Sequence, residues 1–174
     1  MTEEVMRPVD DVVDDVITTR LKARLVDNVQ TVKFKKVKDN AIIPTVGSAE
    51  AAGIDLYACI DEPMVVMPGE QVMFGSGIAC EFPPGYFGAV VPRSSVGIKK
   101  GLNIPQGLAV IDADYTGEIL LAFHNHTKNV VVITPNERLA QMILLPYVHV
   151  NIEEVNEIRN TERGDGGIGS TGQF

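Results

Sequence analysis

From residue 31 to about residue 150, the chain consists of short apolar segments separated by turn-forming residues. The segments include VKFKKV, YFGAVV and EILLAFHN, and the turns between them include MPGE, FPPG and TPNE. Short strands spaced about 8–12 residues apart, with proline and glycine between them, are typical of an all-β sandwich or barrel. No helical pattern alternates with these segments, which argues against a doubly wound α/β sheet. We therefore predict one all-β domain over residues 31–150.

The residues before this domain have a helical pattern. In the segment 8–29, valine, isoleucine and leucine fall on one helical stripe, and four aspartates precede the basic residues. This charge order complements a helix dipole, and Pro8 suits a first helical turn. The sequence thus predicts an N-terminal helical extension over residues 1–30, whose apolar stripe needs a partner in this domain, a neighbouring subunit or another protein.

Charge and composition exclude several classes of protein. The net charge of −8 argues against a protein that coats DNA or RNA, because such proteins present a basic face. No apolar run approaches the ~18 residues of a membrane span, and no secretory signal is present, so we expect a cytoplasmic protein without a membrane partner. Cys59 and Cys80 are too few and too far apart for a closed zinc site, and we expect both to be reduced core residues.

The chain ends in a polar segment, residues 151–162, followed by the glycine-rich tail RGDGGIGSTGQF, and we predict an extended arm over residues 151–174. Gly164 to Thr171 reads G-x-x-x-x-G-S-T, which is similar to a phosphate-binding loop, but no helix can follow it. The bare backbone N–H groups, two hydroxyls and Arg163 still suit phosphate. A frayed terminus is the alternative interpretation.

Two segments inside the domain carry charge where an apolar strand begins or ends. In AAGIDLYA, Asp55 interrupts a strand, and the simplest interpretation is a bulge in which Asp55 bonds to local backbone. In PRSSVGIKKG, Arg93, Ser94 and Ser95 follow an apolar strand together. One guanidinium and two hydroxyls suit phosphate, and the stem of Arg93 should be partly buried.

Residues 107–120, GLAVIDADYTGEIL, place a carboxylate and an aromatic ring close together in the chain. Asp112 ends an apolar run, so we expect it to be partly desolvated, as suits a base. Tyr115 lies at a turn and is either a core residue or a plate for a ring-shaped ligand. The turn centres near Tyr115, which predicts a hairpin with Val110 facing Leu120.

The strand NERLAQMILLPY contains two polar residues, Arg138 and Gln141, in otherwise apolar surroundings. A buried amide must be hydrogen-bonded, either to backbone or to a water or phosphate. Elsewhere, His124 and His126 lie two residues apart and should face the same side of a strand. With His149 they could bind a metal, but strand histidines more often pack or are solvated.

Together these stretches resemble the five signatures of the trimeric deoxyuridine triphosphatase (dUTPase) family. AGIDLYA, PRSSVG, GLAVIDADYTGE, ERLAQM and RGDGGIGSTG occur in the family's order over residues 31–174. The resemblance implies a jelly-roll β-barrel that forms a homotrimer with active sites at the subunit interfaces. It also implies Mg²⁺-assisted attack of water on the α-phosphate of dUTP, giving dUMP and pyrophosphate. Such a reaction keeps uracil out of DNA and supplies dUMP for thymidylate synthesis.

The resemblance further implies the role of each site residue. Asp112 would hold and deprotonate the attacking water, Gln141 would assist through phosphate or water contacts, and Asp55 would support the magnesium through a bound water. The backbone before Asp112 would contact the uracil edge, and Tyr115 would pack against the deoxyribose. The implied substrate-binding residues are Arg93, Ser94, Ser95, Gly97, Gln106, Val110, Ile111, Tyr115, Leu120, Arg163, Ile168, Gly169, Ser170 and Thr171.

Three positions depart from the family's usual residues. Ile168 stands where an aromatic ring stacks on uracil, Gln106 where asparagine is frequent, and Lys100 where histidine is common. Two alternative functions remain at the level of the sequence. A dCTP deaminase of the same fold would need a glutamate base and a different third signature. A nucleotide-sensing trimer could bind a protein partner through the N-terminal helix.

Overall fold

The structure, a computed structural model, describes residues 29–168 and residue 170. Within these residues the chain forms twelve strands and one π-helical turn, which confirms the predicted all-β class. The strands are β1 (Lys33–Lys36), β2 (Thr45–Val46), β3 (Gly53–Tyr57), β4 (Met64–Val66), β5 (Gln71–Gly75), β6 (Ile78–Glu81), β7 (Tyr86–Pro92), β8 (Leu102–Asn103), β9 (Ala109–Ile111), β10 (Leu120–Asn125), β11 (Val131–Ile133) and β12 (Arg138–Pro146). The π-helical turn is Val96–Lys100.

The largest sheet contains five antiparallel strands in the order β2-β3-β12-β7-β9. At its centre, β12 pairs with β7 from Ala140 opposite Pro92 to Pro146 opposite Tyr86. A second sheet has the order β5-β10-β8, and two ribbons pair β1 with β6 and β4 with β11. This antiparallel pairing of strands distant in sequence agrees with the predicted barrel and brings the ends of β3, β7 and β12 together.

The core lies between the inner faces of these sheets. Strand β10 alternates buried and more exposed residues, as expected for a strand with one face on the core. Its Phe123 is fully buried and stacks on Phe74 of β5, with ring centroids 6.2 Å apart. Leu56 of β3 and Met142 of β12 are also fully buried. The main sheet and the β5-β10-β8 sheet therefore share one core.

The apolar segment 71–81 forms two strands, β5 and β6. Strands β5 and β6 are separated by Ser76 and Gly77, and Gly77 has φ 71°. A Cβ atom built at Gly77 would lie 2.5 Å from the Cβ of Ala41 and 2.7 Å from the Sγ of Cys59. Only glycine combines this backbone angle with such close packing. Strands β2 and β8 were not predicted, since two-residue strands carry no periodic signal.

Both cysteines are free and buried, in agreement with the prediction that they are core residues. Burial raises the pKa of Cys80 to about 11 and also raises the pKa of Cys59. Because the thiolate is the reactive form, both side chains are expected to behave as inert packing groups near neutral pH.

The predicted hairpin that pairs Val110 with Leu120 is wrong. Val110 lies opposite Ala89 on β7, and Leu120 lies opposite Gly75 on β5. The connection between β9 and β10 runs over residues 112–119, which is longer than the usual two to five residues of a hairpin loop. The apolar strand β9 instead pairs with the longer apolar strand β7.

The predicted N-terminal helix lies outside the described residues, except for Val29, which belongs to no helix or strand. The polar segment 151–162 is exposed and contains no helix or strand. In the described part of the chain, no helix has the length and apolar content needed to cross a bilayer.

Gly77→Ala should destabilise the protein strongly. The substitution forces a left-handed backbone angle on alanine and places its methyl group against Ala41 and Cys59. Together these effects should cost about 2–5 kcal/mol. The matched control is Gly69→Ala, because Gly69 has φ 77° but open space around it. It should cost about 1–2 kcal/mol. Urea unfolding of both variants checks this, and equal losses would contradict the packing argument.

Candidate active site

Most of the predicted residues between β8 and β10 line a single cavity of about 350 Å³. Its lining consists of Gln106, Leu108, Ala109, Val110, Ile111, Asp112, Tyr115 and Leu120. Val110 and Leu120 thus meet across a cavity, although they are not paired across a hairpin. The walls are mainly aliphatic, with one carboxylate, one amide and one phenol, which suits a flat ring joined to a polar group.

Local backbone bonds hold Tyr115 at the mouth of this cavity. Its N–H donates to the carbonyl of Asp112 at 3.1 Å, and its hydroxyl donates to the carbonyl of Glu118 at 2.8 Å. A Cβ atom at Gly117 would lie 2.6 Å from the Tyr115 hydroxyl oxygen, so glycine is needed for the ring to lie over the chain. Tyr115 is exposed, and its ring is therefore a plate facing the cavity and not a core residue.

Asp112 is exposed, contrary to the predicted partial desolvation. It follows β9, and β9 is an edge strand of the main sheet, so solvent reaches it from the open side. Asp112 also lines a second cavity of about 700 Å³, together with Phe87, Tyr147 and His149. In this second cavity the Tyr147 ring packs edge-on against Phe87 and His149.

The prediction that Asp55 bonds to local backbone is wrong. The carboxylate of Asp55 instead pairs with two arginines. Its Oδ1 lies 3.0 Å from Nε of Arg93 and its Oδ2 lies 3.1 Å from Nη1 of Arg138. Asp55 is 4% exposed, and the stem of Arg93 is half-buried as predicted. One buried carboxylate thus fixes two guanidinium groups at the same end of the sheet.

Arg138 was recognised in the sequence as a polar strand residue but not as a site residue. A separation of three would place Arg138 and Gln141 on opposite faces of a regular strand. The register of β12 against β3 shifts between Arg138 and Ala140, which marks a bulge. A bulge changes the facing of the residues before it, so Arg138 can reach Asp55, which lies opposite Gln141. No feature of the sequence alone located this bulge.

Gln141 is half-buried on β12, between Asp55 of β3 and Val91 of β7. A Cβ atom at Gly53 would overlap Oε1 of Gln141, so the glycine leaves space for the amide. This accounts for the glycine within the first signature, at the first position of β3.

Ser94 and Ser95 lie exposed at the start of the π-helical turn, directly after Arg93. The N–H groups of Val96 and Gly97 both donate to the carbonyl of Arg93, and Ser95 makes no side-chain cap bond. The turn is thus held by the carbonyl of Arg93, and both serine side chains stay exposed to solvent. Lys100 forms an ion pair with Glu137 and donates to the carbonyl of Val132 at 3.0 Å.

The described tail residues bond to one another and to Thr161. Arg163 Nε donates to the carbonyl of Gly166 at 2.9 Å, and Ser170 N–H donates to the carbonyl of Gly167 at 3.0 Å. Ile168 is fully exposed. Gly169 and Thr171 lie outside the described residues, so their predicted phosphate contacts stay predictions.

His124 of β10 and His126, which directly follows β10, lie close together, with ring centroids 5.6 Å apart. The Nε2 atom of His126 lies 2.8 Å from Nδ2 of Asn103. His149 packs instead on Tyr147, next to the cavity of Asp112. Among the residues that the structure describes, no three histidine, cysteine or acidic side chains converge on a point that could hold a metal ion.

The cavity of Asp112 and the cluster of Asp55 and Arg93 lie at opposite ends of β7. Ile111 of β9 lies opposite Gly88 of β7, so the next residue, Asp112, lies at the level of Phe87. Phe87 and Arg93 are six residues apart along β7 and its continuation. At about 3.3 Å per residue, this separation is about 20 Å. The two groups of predicted residues therefore cannot contact the same phosphate within one chain.

Comparison with known proteins identifies the family. The dUTPase family model matches residues 39–172 of this chain. The chain belongs to the dUTPase family. A relative from Hydrogenobaculum sp. (strain Y04AAS1), named deoxyuridine 5'-triphosphate nucleotidohydrolase, is 41% identical over 138 residues, covering 79% of this chain and 95% of the relative.

Solved dUTPase structures share the fold. A point mutant of the dUTPase of Staphylococcus bacteriophage 80alpha, solved with dUpNHpp, has a TM-score of 0.69 and 25% identity. The match covers 82% of this chain and 98% of the phage protein. A mutant dUTPase from phage phi11 of S. aureus, described as coordinating a structural Mg(II) ion, has a TM-score of 0.67 at 22% identity, covering 75% of this chain and 99% of that one.

Asp55→Asn should weaken the fold, because it leaves two guanidinium groups without their buried counter-charge. The arginine side chains are 29% and 47% exposed, so the expected loss is about 1–3 kcal/mol, below that of a fully buried pair. The control is Glu81→Gln, which breaks the exposed pair of Lys33 and Glu81 and should cost about 0.5 kcal/mol or less. Chemical denaturation measures both. Equal, small losses would contradict a structural role for Asp55.

Proposed function

We propose that this chain hydrolyses dUTP to dUMP and pyrophosphate. The observation that carries the proposal is the pair of complementary sites: an aliphatic cavity ending at Asp112 and a pair of arginines held by Asp55. The first suits a nucleoside and the second suits a polyphosphate. The names of the curated relatives agree with this substrate. The reaction would keep uracil out of DNA and supply dUMP for thymidylate synthesis.

The cavity offers two features for deoxyuridine. Strand β9 pairs with β7 on one side and is the edge of the sheet on the other, so it has backbone N–H and C=O groups free to meet a base edge. The ring of Tyr115 lies at the cavity mouth, where it would pack against the sugar. The third signature implies this arrangement, in which the backbone hydrogen-bonds to the pyrimidine edge and the aromatic ring packs against the sugar.

The other site has the charge needed for phosphate. Asp55 neutralises part of the positive charge of Arg93 and Arg138 and fixes their orientation, and the exposed Ser94 and Ser95, which follow Arg93 in the chain, would add hydroxyl donors. A chain with a net charge of −8 can therefore bind a polyanion through locally concentrated cations. Fixed guanidinium forks are preorganised for phosphate oxygens and for charge that develops during transfer.

A complete site needs a second copy of the chain. Because about 20 Å of strand separates Asp112 from Arg93 within one chain, the arginine cluster of a neighbouring copy would have to approach the cavity. This is consistent with the homotrimer and shared sites implied by the family resemblance. The same contact would cover Asp112, which is exposed in the single chain. The tail, with Arg163 and Ile168, would then close over the nucleotide and exclude water.

In the completed site, Asp112 would accept the proton of the water that attacks the α-phosphate. Its carboxylate is unpaired with any cation among the described residues, so it can act as an acceptor. Arg93 would stabilise the charge on the phosphate oxygens, and Gln141, opposite Asp55, would position phosphate or water. Phosphoryl transfer depends mainly on such positioning and charge stabilisation.

Magnesium fits this arrangement as an ion held mainly by substrate oxygens. The described residues supply no cluster of protein ligands, and Mg²⁺ commonly binds through phosphates and water. Each oxygen of Asp55 has one arginine contact and retains a lone pair, which suits contact through water but not direct coordination. When bound, the ion would neutralise phosphate charge and assist the departure of pyrophosphate.

The test is pyrophosphate release from dUTP, dTTP, dCTP and UTP at equal concentrations. We expect dUTP to be hydrolysed far faster than the other three. Discrimination against UTP should be about 10²-fold, because it depends on one hydroxyl against an apolar ring. Ammonia release from dCTP would indicate a deaminase instead. Turnover of dTTP at a rate comparable to dUTP would overturn the proposed function.

A further inference from the structure

Glu118, the last residue of GLAVIDADYTGE, has no role among the implied site residues, yet its carboxylate makes two contacts with distant parts of the chain. Its side chain is 25% exposed, and its Oε1 accepts the N–H of Gly77 at 2.7 Å. The same oxygen lies 3.2 Å from Nζ of Lys38, in the loop after β1. The carboxylate thus connects the end of the Tyr115 turn to the turn between β5 and β6.

The turn between β5 and β6 is shaped to receive this carboxylate. A Cβ atom at Gly75 would overlap Oε1 of Glu118, so only glycine leaves the required space. Gly77, which donates the hydrogen bond, is itself fixed by its positive φ and its contacts with Ala41 and Cys59. The donor is therefore part of the rigid core and can serve as an anchor.

The main chain of Ile119, next to Glu118, is also held by two hydrogen bonds, one to the turn between β5 and β6 and one to β6. Ser76 N–H donates to the carbonyl of Ile119 at 3.0 Å, and Ile119 N–H donates to the carbonyl of Ile78 at 2.8 Å. One residue earlier in the chain, the carbonyl of Glu118 accepts the hydroxyl of Tyr115 at 2.8 Å. The position of the Tyr115 hydroxyl is thus set by Glu118, whose side chain is tied to Gly77.

We propose that Glu118 is a positioning residue that sets the selectivity for deoxyribose over ribose by fixing the ring of Tyr115. This inference rests on the proposed function, in which that ring packs against the sugar. Rejection of a 2′-hydroxyl is steric, and a ring that can shift would make room for it. The anchor at Gly77 removes that freedom without Glu118 touching the substrate.

The experiment compares Glu118→Ala and Glu118→Gln with the same changes at Glu70. Glu70 is a matched control, because its Oε2 accepts the backbone N–H of Met67 at the same distance, 2.7 Å, in the turn before β5. The readout is the ratio of kcat/KM for dUTP to kcat/KM for UTP. A ratio measured on one preparation does not depend on the fraction of folded enzyme, so a merely structural loss would leave it unchanged.

For E118A we expect the ratio to fall about tenfold from the wild-type value of about 10². KM for dUTP should rise while kcat changes less, since sugar packing contributes to binding in both ground and transition states. E118Q retains an oxygen for Gly77 N–H, so its ratio should stay within about threefold of wild type, because exposed ion pairs such as that with Lys38 contribute little. If E118A does not fold, Glu118→Asp moves the oxygen away from Gly77 and should lower the ratio in the same direction.

Two results would overturn the inference while leaving the proposed function intact. One is an E118A ratio equal to that of wild type in an enzyme that hydrolyses dUTP. The other is an equal fall in E70A, which would show that the effect is not specific to the Tyr115 anchor. Absence of dUTP hydrolysis in the wild-type protein would instead overturn the proposed function and, with it, this role of Glu118.

Discussion

The pairing of β12 with β7 is the constraint on which the arrangement of the site depends. It runs without interruption from Ala140 opposite Pro92 to Pro146 opposite Tyr86, at the centre of the five-stranded sheet. Because β3 pairs on one side and β9 on the other, this register determines where each signature residue emerges. It places Asp55, Arg93 and Gln141 at one end of the sheet and Asp112 at the other.

Glycines and buried charges convert this framework into two shaped sites. Gly53 leaves room for the amide of Gln141, Gly75 for the carboxylate of Glu118, and Gly117 for the ring of Tyr115. Asp55 fixes the two arginines by direct ion pairs from a buried position. Arg93 and Arg138 are held by Asp55, Glu118 by Gly77 N–H, and Tyr115 by the carbonyl of Glu118, while Gly53 leaves space for Gln141. Preorganisation of this kind reduces the reorganisation needed when substrate binds.

The sequence predicted the class of fold better than it predicted which side chains contact one another. Short apolar segments between turns identified the long strands, and several residues in and beside the third signature, from Gln106 to Leu120, line one cavity. The partners of Asp55 could not be predicted, because they depend on pairing among three distant strands and on a bulge in β12. The hairpin prediction failed for a related reason, since β9 had a more extended partner in β7 than in β10. The exposure of Asp112 was missed because an apolar run before a carboxylate gives no sign that its strand lies at a sheet edge.

The central claim is that each active site combines Asp112 from one chain with Arg93 from another. Mixing chains that carry Asp112→Asn with chains that carry Arg93→Met tests it directly, because each variant alone should be inactive. If sites are shared in a randomly mixed symmetric oligomer, about a quarter of the sites have both residues intact, and activity should recover to about that fraction of wild type. Native mass spectrometry verifies that mixed oligomers have formed. Mixed oligomers without recovered activity would contradict the account, since that result requires Asp112 and Arg93 to act within a single chain.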